Sequence, residues 1–199
     1  IHLRDTLDPD IIGIQETKVN DPEFPIDVIK EIGYHPEYWG QKGHYGVAIL
    51  SKKKPIEVQK GFIKDTAEDQ KRFIQAKFKW GKKSITVMNG YFPQGENRSH
   101  ETKFPKKIKY YADLNRHIKK IQKTEDNLIV MGDFNVAPSP LDIGIGEINA
   151  KRWLKEGKTA FLPEEIDMWN SIKDLGFIDS WREQNPDEGS IYSWFDYRS

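Results

Sequence analysis

The sequence predicts an α/β layered sandwich, and three observations carry that expectation. RFIQAKFK (72–79) alternates apolar and polar residues with period two, and SITVMNGY (84–91) follows across the turn signal Trp80-Gly81-Lys82, so the two form a hairpin. From Pro105 to Ile121 the apolar spacing lengthens to steps of three and four (Ile108, Tyr111, Leu114, Ile118, Ile121), which marks an amphipathic helix. Short apolar runs at 10–15 (DIIGIQ), 45–50 (YGVAIL) and 127–132 (NLIVMG) have the length of buried strands. A parallel doubly wound sheet fits less well, because a hairpin makes antiparallel neighbours.

The remaining elements follow in chain order. His2 to Asp8 reads as the last turns of a helix. After the 127–132 strand an open loop leads to a helix near 148–155 and another at 163–174, the second opened by Pro163 with Glu164 and Glu165 in its first turn. IDSWR (178–182) and SIYSWFDY (190–197) read as late short strands. No repeat, low-complexity tract or linker interrupts the 199 residues, which suit a single domain. Because the chain starts at Ile1 and stops at Ser199 without a polar tail, it is expected to be an internal part of a longer protein.

Composition excludes several classes. With no cysteine there is neither a disulfide framework nor a thiolate zinc site. No apolar run approaches the roughly 18 residues of a membrane span, and IHLRDTLDPD is no signal peptide. An apolar fraction of 37%, including six Trp, eight Tyr and ten Phe, is enough for a substantial core. The formal charge of zero hides an uneven distribution. Between Arg98 and Lys123 nine basic residues face two acidic ones, Glu101 and Asp113. Such a segment suits a phosphate backbone, with Lys103, Lys106 and Lys107 the better candidates, although a solvated lysine face is the plainer alternative for its second half.

Three strand ends finish in polar residues: Gln15-Glu16-Thr17, Asn89-Gly90-Tyr91 and Gly132-Asp133-Phe134-Asn135. If the strands are neighbours, these ends form one polar rim above an apolar sheet, where functional residues concentrate. Glu16 is a hard oxygen ligand of the kind Mg²⁺ takes alongside water and phosphate. Asp133 and Asn135, two apart in an extended segment, share a face. One can handle a proton or a water while the other donates to a phosphate oxygen, and Tyr91 adds a phenolic hydrogen bond. Each motif alone has a plainer reading, since Gly-Asp after a strand is usually a turn and Tyr91 is as easily core.

Taken together, IGIQETK, NGYFPQGENR, IVMGDFNVAP, LDIGIGEINAKRW and SWFDYRS closely resemble the exonuclease III family of the endonuclease/exonuclease/phosphatase superfamily. GDFN is shared across the superfamily, whereas GQKGHYGVAIL, GYFPQGE and IGIGE are specific to this branch. The resemblance implies a four-layer α/β sandwich with two mostly antiparallel central sheets, truncated here at both ends. It implies Mg²⁺, with Mn²⁺ as an alternative, held by Glu16 with Asp133 and Asn135. It makes Tyr91 a contact of the scissile phosphate, and Asp133 the group that orients or deprotonates water or protonates the leaving group. Asn135 would bind phosphate or the water shell of the metal.

Arg72 and Gln94 fall where the family contacts the DNA backbone, and His44 falls in a DNA-facing loop. Trp194, Phe195 and Arg198 fall in the segment lining the pocket for a flipped-out abasic sugar. The implied protein is a monomeric cytoplasmic DNA-repair nuclease that cuts duplex DNA 5′ of abasic sites and degrades it from 3′ ends, without membrane contact. Two rivals are a phosphoesterase acting on a small phosphoester or lipid head group, and a DNA-binding module without catalysis. Family members carry an Asn on an N-terminal strand, a C-terminal Asp and a later Asp-His pair. None stands in this setting here, so the catalytic His and its partners are expected beyond Ser199, the N-terminal strand is expected to be missing, and residues 1–199 alone are expected to be inactive.

Overall fold

The computed structural model describes residues 2–196. In chain order the elements are α1 (His2–Leu7), β1 (Ile11–Gln15), α2 (Ile26–Glu31), β2 (His35–Trp39), β3 (Val47–Ser51), β4 (Glu57–Lys60), β5 (Phe73–Trp80) and β6 (Lys83–Tyr91). There follow α3 (Lys103–Ile121), β7 (Leu128–Asp133), α4 (Glu147–Glu156), α5 (Pro163–Lys173) and α6 (Ser180–Gln184). The chain packs as two compact units, one of residues 1–92 and 121–134, the other of 93–120 and 135–199.

The first unit holds both sheets. One is antiparallel with strand order β1-β3-β2, and the other runs β4-β5-β6-β7. The expected hairpin is β5–β6, in register from Phe73↔Gly90 to Trp80↔Lys83. Among the strand pairs of the described residues only β6–β7 is parallel, a pairing that needs a crossover such as the one through α3. β3 shows why a continuous apolar run makes a central strand: its side chains alternate between two cores. Val47 and Ile49 join Ile74, Ala76, Phe78 and Val87 between the sheets. Ala48 and Leu50 point the other way, onto Phe24, Ile29 and Tyr34. The edge strands β2 and β4, with the short helix α2, are elements that sequence periodicity does not reveal. HPEYW carries a proline and EVQK is short and polar, both habits of edge strands.

A single buried amide clips the sheets together. Asn89, fully buried on β6, donates from Nδ2 to the Ile14 and Ala48 carbonyls at 2.9 Å each. Its Oδ1 accepts from Gln15 Nε2 at 2.6 Å. Gly13 is needed for this approach, because a Cβ there would lie 2.8 Å from Asn89 Oδ1. The end of β1 is thereby fixed against β6.

In the second unit, α3 buries Phe104, Lys107, Tyr110, Tyr111, Leu114, His117 and Ile118. The helix is where the spacing placed it, but its inward face is rotated: Ile108 is exposed and Lys107 faces in. A second cluster forms around Ala137, Ile145, Ala160 and Phe161, with Trp153 and Trp194 against it. The late strands expected from IDSWR and SIYSWFDY do not form among the described residues. The first region is the helix α6, whose N-cap Asp179 accepts from the Arg182 N–H, because a local side-chain cap outweighs β propensity. The second makes only an isolated bridge, Ile143↔Trp194.

Candidate active site

Two of the three polar strand ends belong to neighbouring strands, and the third is brought to them by the Asn89 clip. Tyr91 closes β6 and Asp133 closes β7, and the parallel ladder pairs these two residues directly. The Phe92 N–H donates to the Asp133 carbonyl at 2.9 Å. Gly132, at φ 134°, permits this ending, since a Cβ there would lie 2.0 Å from the Gly90 carbonyl oxygen. Glu16 follows β1 with a left-handed backbone (φ 55°), a conformation costly for a non-glycine residue and concentrated at functional sites. It is held by the Thr17 and Lys18 N–H groups, which donate to the Gly46 and Tyr45 carbonyls.

The rim is wired by short contacts. Tyr91 OH donates to Glu16 Oε1 at 2.7 Å, and Lys18 Nζ lies 2.6 Å from Glu16 Oε2. The Lys18 hydrogen bond first, and the Tyr91 hydroxyl second, hold the Glu16 carboxyl below its ordinary range. Burial first, and the bond to Glu16 second, push the Tyr91 phenol far above its ordinary range, with the Asp133 charge adding to the effect. Both shifts favour a protonated Tyr91 hydroxyl donating to an ionised Glu16 carboxylate.

Arg72 is drawn into the same structure. Its guanidinium lies 4.2 Å from the Tyr45 ring centroid and 4.6 Å from that of Tyr91, the geometry of cation–π contact. Nε donates to Gln70 Oε1 and Nη1 to the Tyr91 carbonyl. Gln70 Nε2 in turn donates to Tyr45 OH. Arg72 thus braces Tyr91, a role its sequence position did not reveal. His44 is exposed beside Tyr45, with ring centroids 5.8 Å apart.

Asn135 belongs to the second unit. β7 ends at Asp133 and Asn135 is left-handed (φ 52°), so the two do not stand in one extended segment as the sequence reading expected. Asparagine tolerates that backbone because its short polar side chain bonds locally. In this unit Gln94 Nε2 donates to Thr159 Oγ1 at 3.0 Å. Lys103 is exposed and paired with Glu96. Trp194 packs edge-on against Trp153 and Phe161, and Phe195 beside it is 44% exposed. Arg198 lies outside the described residues. Lys107, expected among the DNA-facing lysines, is fully buried and ion-paired with Glu165; a basic residue counted by sequence alone is assigned to the surface by default.

Glu16 and Asp133 are the carboxylates a metal would meet at this rim. Among the described residues no group of three or more ligating side chains forms. Sequence reasoning missed the Asn89 clip, the Tyr45–Gln70–Arg72 brace and the Lys107–Glu165 pair. The available signal was polar residues within apolar strand or helix faces. Among the described residues no helix is long and apolar enough to cross a membrane.

Comparison with known proteins bears on what this rim is. A model of the endonuclease/exonuclease/phosphatase family matches residues 2–198. Exodeoxyribonuclease III of Haemophilus influenzae is 50% identical over 191 residues, covering 96% of this chain and 72% of that protein. Among solved structures, a 3′ phosphatase from Neisseria bound to a product DNA hairpin superposes with a TM-score of 0.88 at 31% identity, covering 100% of this chain and 72% of the other. An AP endonuclease from Archaeoglobus fulgidus gives 0.83 at 34% identity, again covering 100% and 72%. With two β-sheets, polar strand ends gathered at Glu16, Tyr91 and Asp133, and this agreement along nearly its whole length, the chain belongs to the exonuclease III branch of the endonuclease/exonuclease/phosphatase family.

Proposed function

We propose that the protein is a Mg²⁺-dependent DNA-repair nuclease, with Mn²⁺ as an alternative metal, that hydrolyses phosphodiesters 5′ of abasic sites and degrades duplex DNA from 3′ ends. The observation that carries this reading is the rim itself: the Tyr91 hydroxyl donating to Glu16, Lys18 beside Glu16, and Asp133 paired with Tyr91 across the ladder. A divalent cation held by Glu16, with Asp133 and Asn135 contributing, would supply Lewis-acid polarisation of the phosphoryl oxygen.

The side chains account for the rest. Asp133 orients the attacking water and takes its proton as the new P–O bond forms. The bond to the 3′ oxygen breaks, and that oxygen takes a proton from solvent as it leaves. Tyr91 OH donates to a non-bridging phosphate oxygen, and Asn135, two residues beyond Asp133, donates to another. Arg72, Gln94, Lys103, His44 and Arg198 contact the DNA backbone, and Trp194 and Phe195 offer apolar surface to an extruded sugar. The enzyme acts as a cytoplasmic monomer.

The test is cleavage by the full-length protein of a duplex bearing one tetrahydrofuran site, with Mg²⁺ and after chelation, beside inositol phosphates and phospholipid head groups. Metal-dependent incision 5′ of the site, with no turnover of the small phosphoesters, is expected. Turnover of the small phosphoesters instead, or tight binding of the duplex without incision, overturns the reading.

A further inference from the structure

We propose that the buried Lys107–Glu165 ion pair is a positioning device that fixes the backbone at Gln94 and Asn135 so that their side chains meet phosphate. The proposal rests on the nuclease reading above. Lys107 and Glu165 both have fully buried side chains. The ammonium has three protons, and three acceptors surround it: the Asn135 carbonyl at 2.7 Å, the Gln94 carbonyl at 3.2 Å and Glu165 Oε1. The other oxygen of Glu165 accepts from the Ala160 N–H at 2.8 Å and the Leu162 N–H at 2.9 Å. One ion pair therefore ties together α3, the segment around Gln94, the residue Asn135 and the start of α5.

Stability alone does not account for this arrangement. A buried ion pair replaced by apolar residues of similar volume is often neutral or more stable, because desolvation offsets the attraction. An apolar side chain, however, has no proton for the carbonyls of Gln94 and Asn135. The backbone around the pair is also held away from easy conformations. Glu96, Asn135 and Ala160 all have positive φ (65°, 52° and 126°), and each lies in or beside a segment that the pair grips. Strained backbone of this kind persists only where its surroundings over-determine it. A carbonyl fixed at 2.7 Å leaves the rest of Asn135 little freedom to drift from a phosphate oxygen, and displacements of about 1 Å can cost on the order of 100-fold in rate.

The experiment compares full-length wild type, Lys107→Met, Glu165→Gln and the double variant by Tm and by steady-state kinetics on abasic duplex. It adds ¹⁵N spectra of the Asn135 and Gln94 side-chain amides. Glu165→Gln preserves an oxygen for the Ala160 and Leu162 N–H groups while placing an amide opposite the ammonium. The double variant carries no buried charge, so its Tm is expected to return towards wild type. Its kcat is expected to stay about 10–100-fold low with KM changed less than about threefold, and the two amide signals are expected to shift. Activity that follows Tm back to the wild-type value in the double variant overturns the proposal. If wild type cleaves no DNA, the nuclease reading falls by itself. The amide spectra then decide positioning: unchanged signals in Glu165→Gln and the double variant overturn it, and shifted ones uphold it.

Discussion

Glu16 and Glu165 each face a lysine and each accept a further hydrogen bond, yet they stand in opposite environments. The Glu16–Lys18 side chains are 41% and 54% exposed, whereas those of Glu165 and Lys107 are both 0% exposed. Water at the Glu16 rim screens its pair, so Lys18 and the Tyr91 hydroxyl can be exchanged for a cation or a phosphate at small cost. The Glu165 side chain is fully buried, and its partners are the Lys107 ammonium and the Ala160 and Leu162 N–H groups. The contrast teaches that an ion pair near a candidate site belongs to the chemistry or to the scaffold according to whether its partners can be replaced.

The largest expected effect tests the exposed member. Asp133→Ala and Glu16→Ala in the full-length protein should each lower kcat on abasic duplex by about 10²–10⁴-fold, the range for losing a proton-handling group or a metal ligand. Tm should barely move, because both residues are exposed. Undiminished cleavage would remove both from the chemistry.

Next in size is the buried member. Lys107→Met leaves a carboxylate uncompensated in the interior and should cost about 3–5 kcal/mol in urea unfolding. Lys18→Met, at the exposed pair, should cost no more than about 1 kcal/mol. Equal losses from the two substitutions would erase the distinction drawn between the pairs.

A smaller effect concerns pH. Because the Glu16 carboxyl is held below its ordinary range, it stays ionised as the pH falls through the usual carboxylate range, and its contribution is lost only at the lowered value. The acid limb of the kcat/KM profile should therefore move upward in Lys18→Met, and by less in Tyr91→Phe, following the order of the two causes. A limb that stays in place in both variants would assign it to another group. The smallest effect is electrostatic: Lys103→Ala should weaken DNA binding modestly and lower the slope of log affinity against log salt by about one. No such change is expected on Tm, since Lys103 is exposed and its ion pair with Glu96 is at the surface.

Much of this was legible in the sequence. Period-two alternation in 72–91 gave the β5–β6 hairpin, and steps of three and four gave α3, because these periods follow from backbone geometry alone. Polar residues ending apolar runs gave the rim at Glu16, Tyr91 and Asp133, since a buried strand can place a charge only where it emerges. The late aromatic segment misled, because a local cap at Asp179 and packing of Trp194 on Trp153 and Phe161 are not encoded in hydrophobic period.

What the sequence determined by itself, then, is the strand and helix inventory of the central elements and the residue types at their ends, which depend on neighbours along the chain. Which lysine is inside and which carboxylate is replaceable was decided only in three dimensions. The same is true of the clip by which Asn89 holds the end of β1 against β6. Lys107 looks like Lys103 or Lys106 in a basic run. Its burial follows from three acceptors supplied by residues 13 before, 28 after and 58 after it in the chain, and no local pattern carries that information.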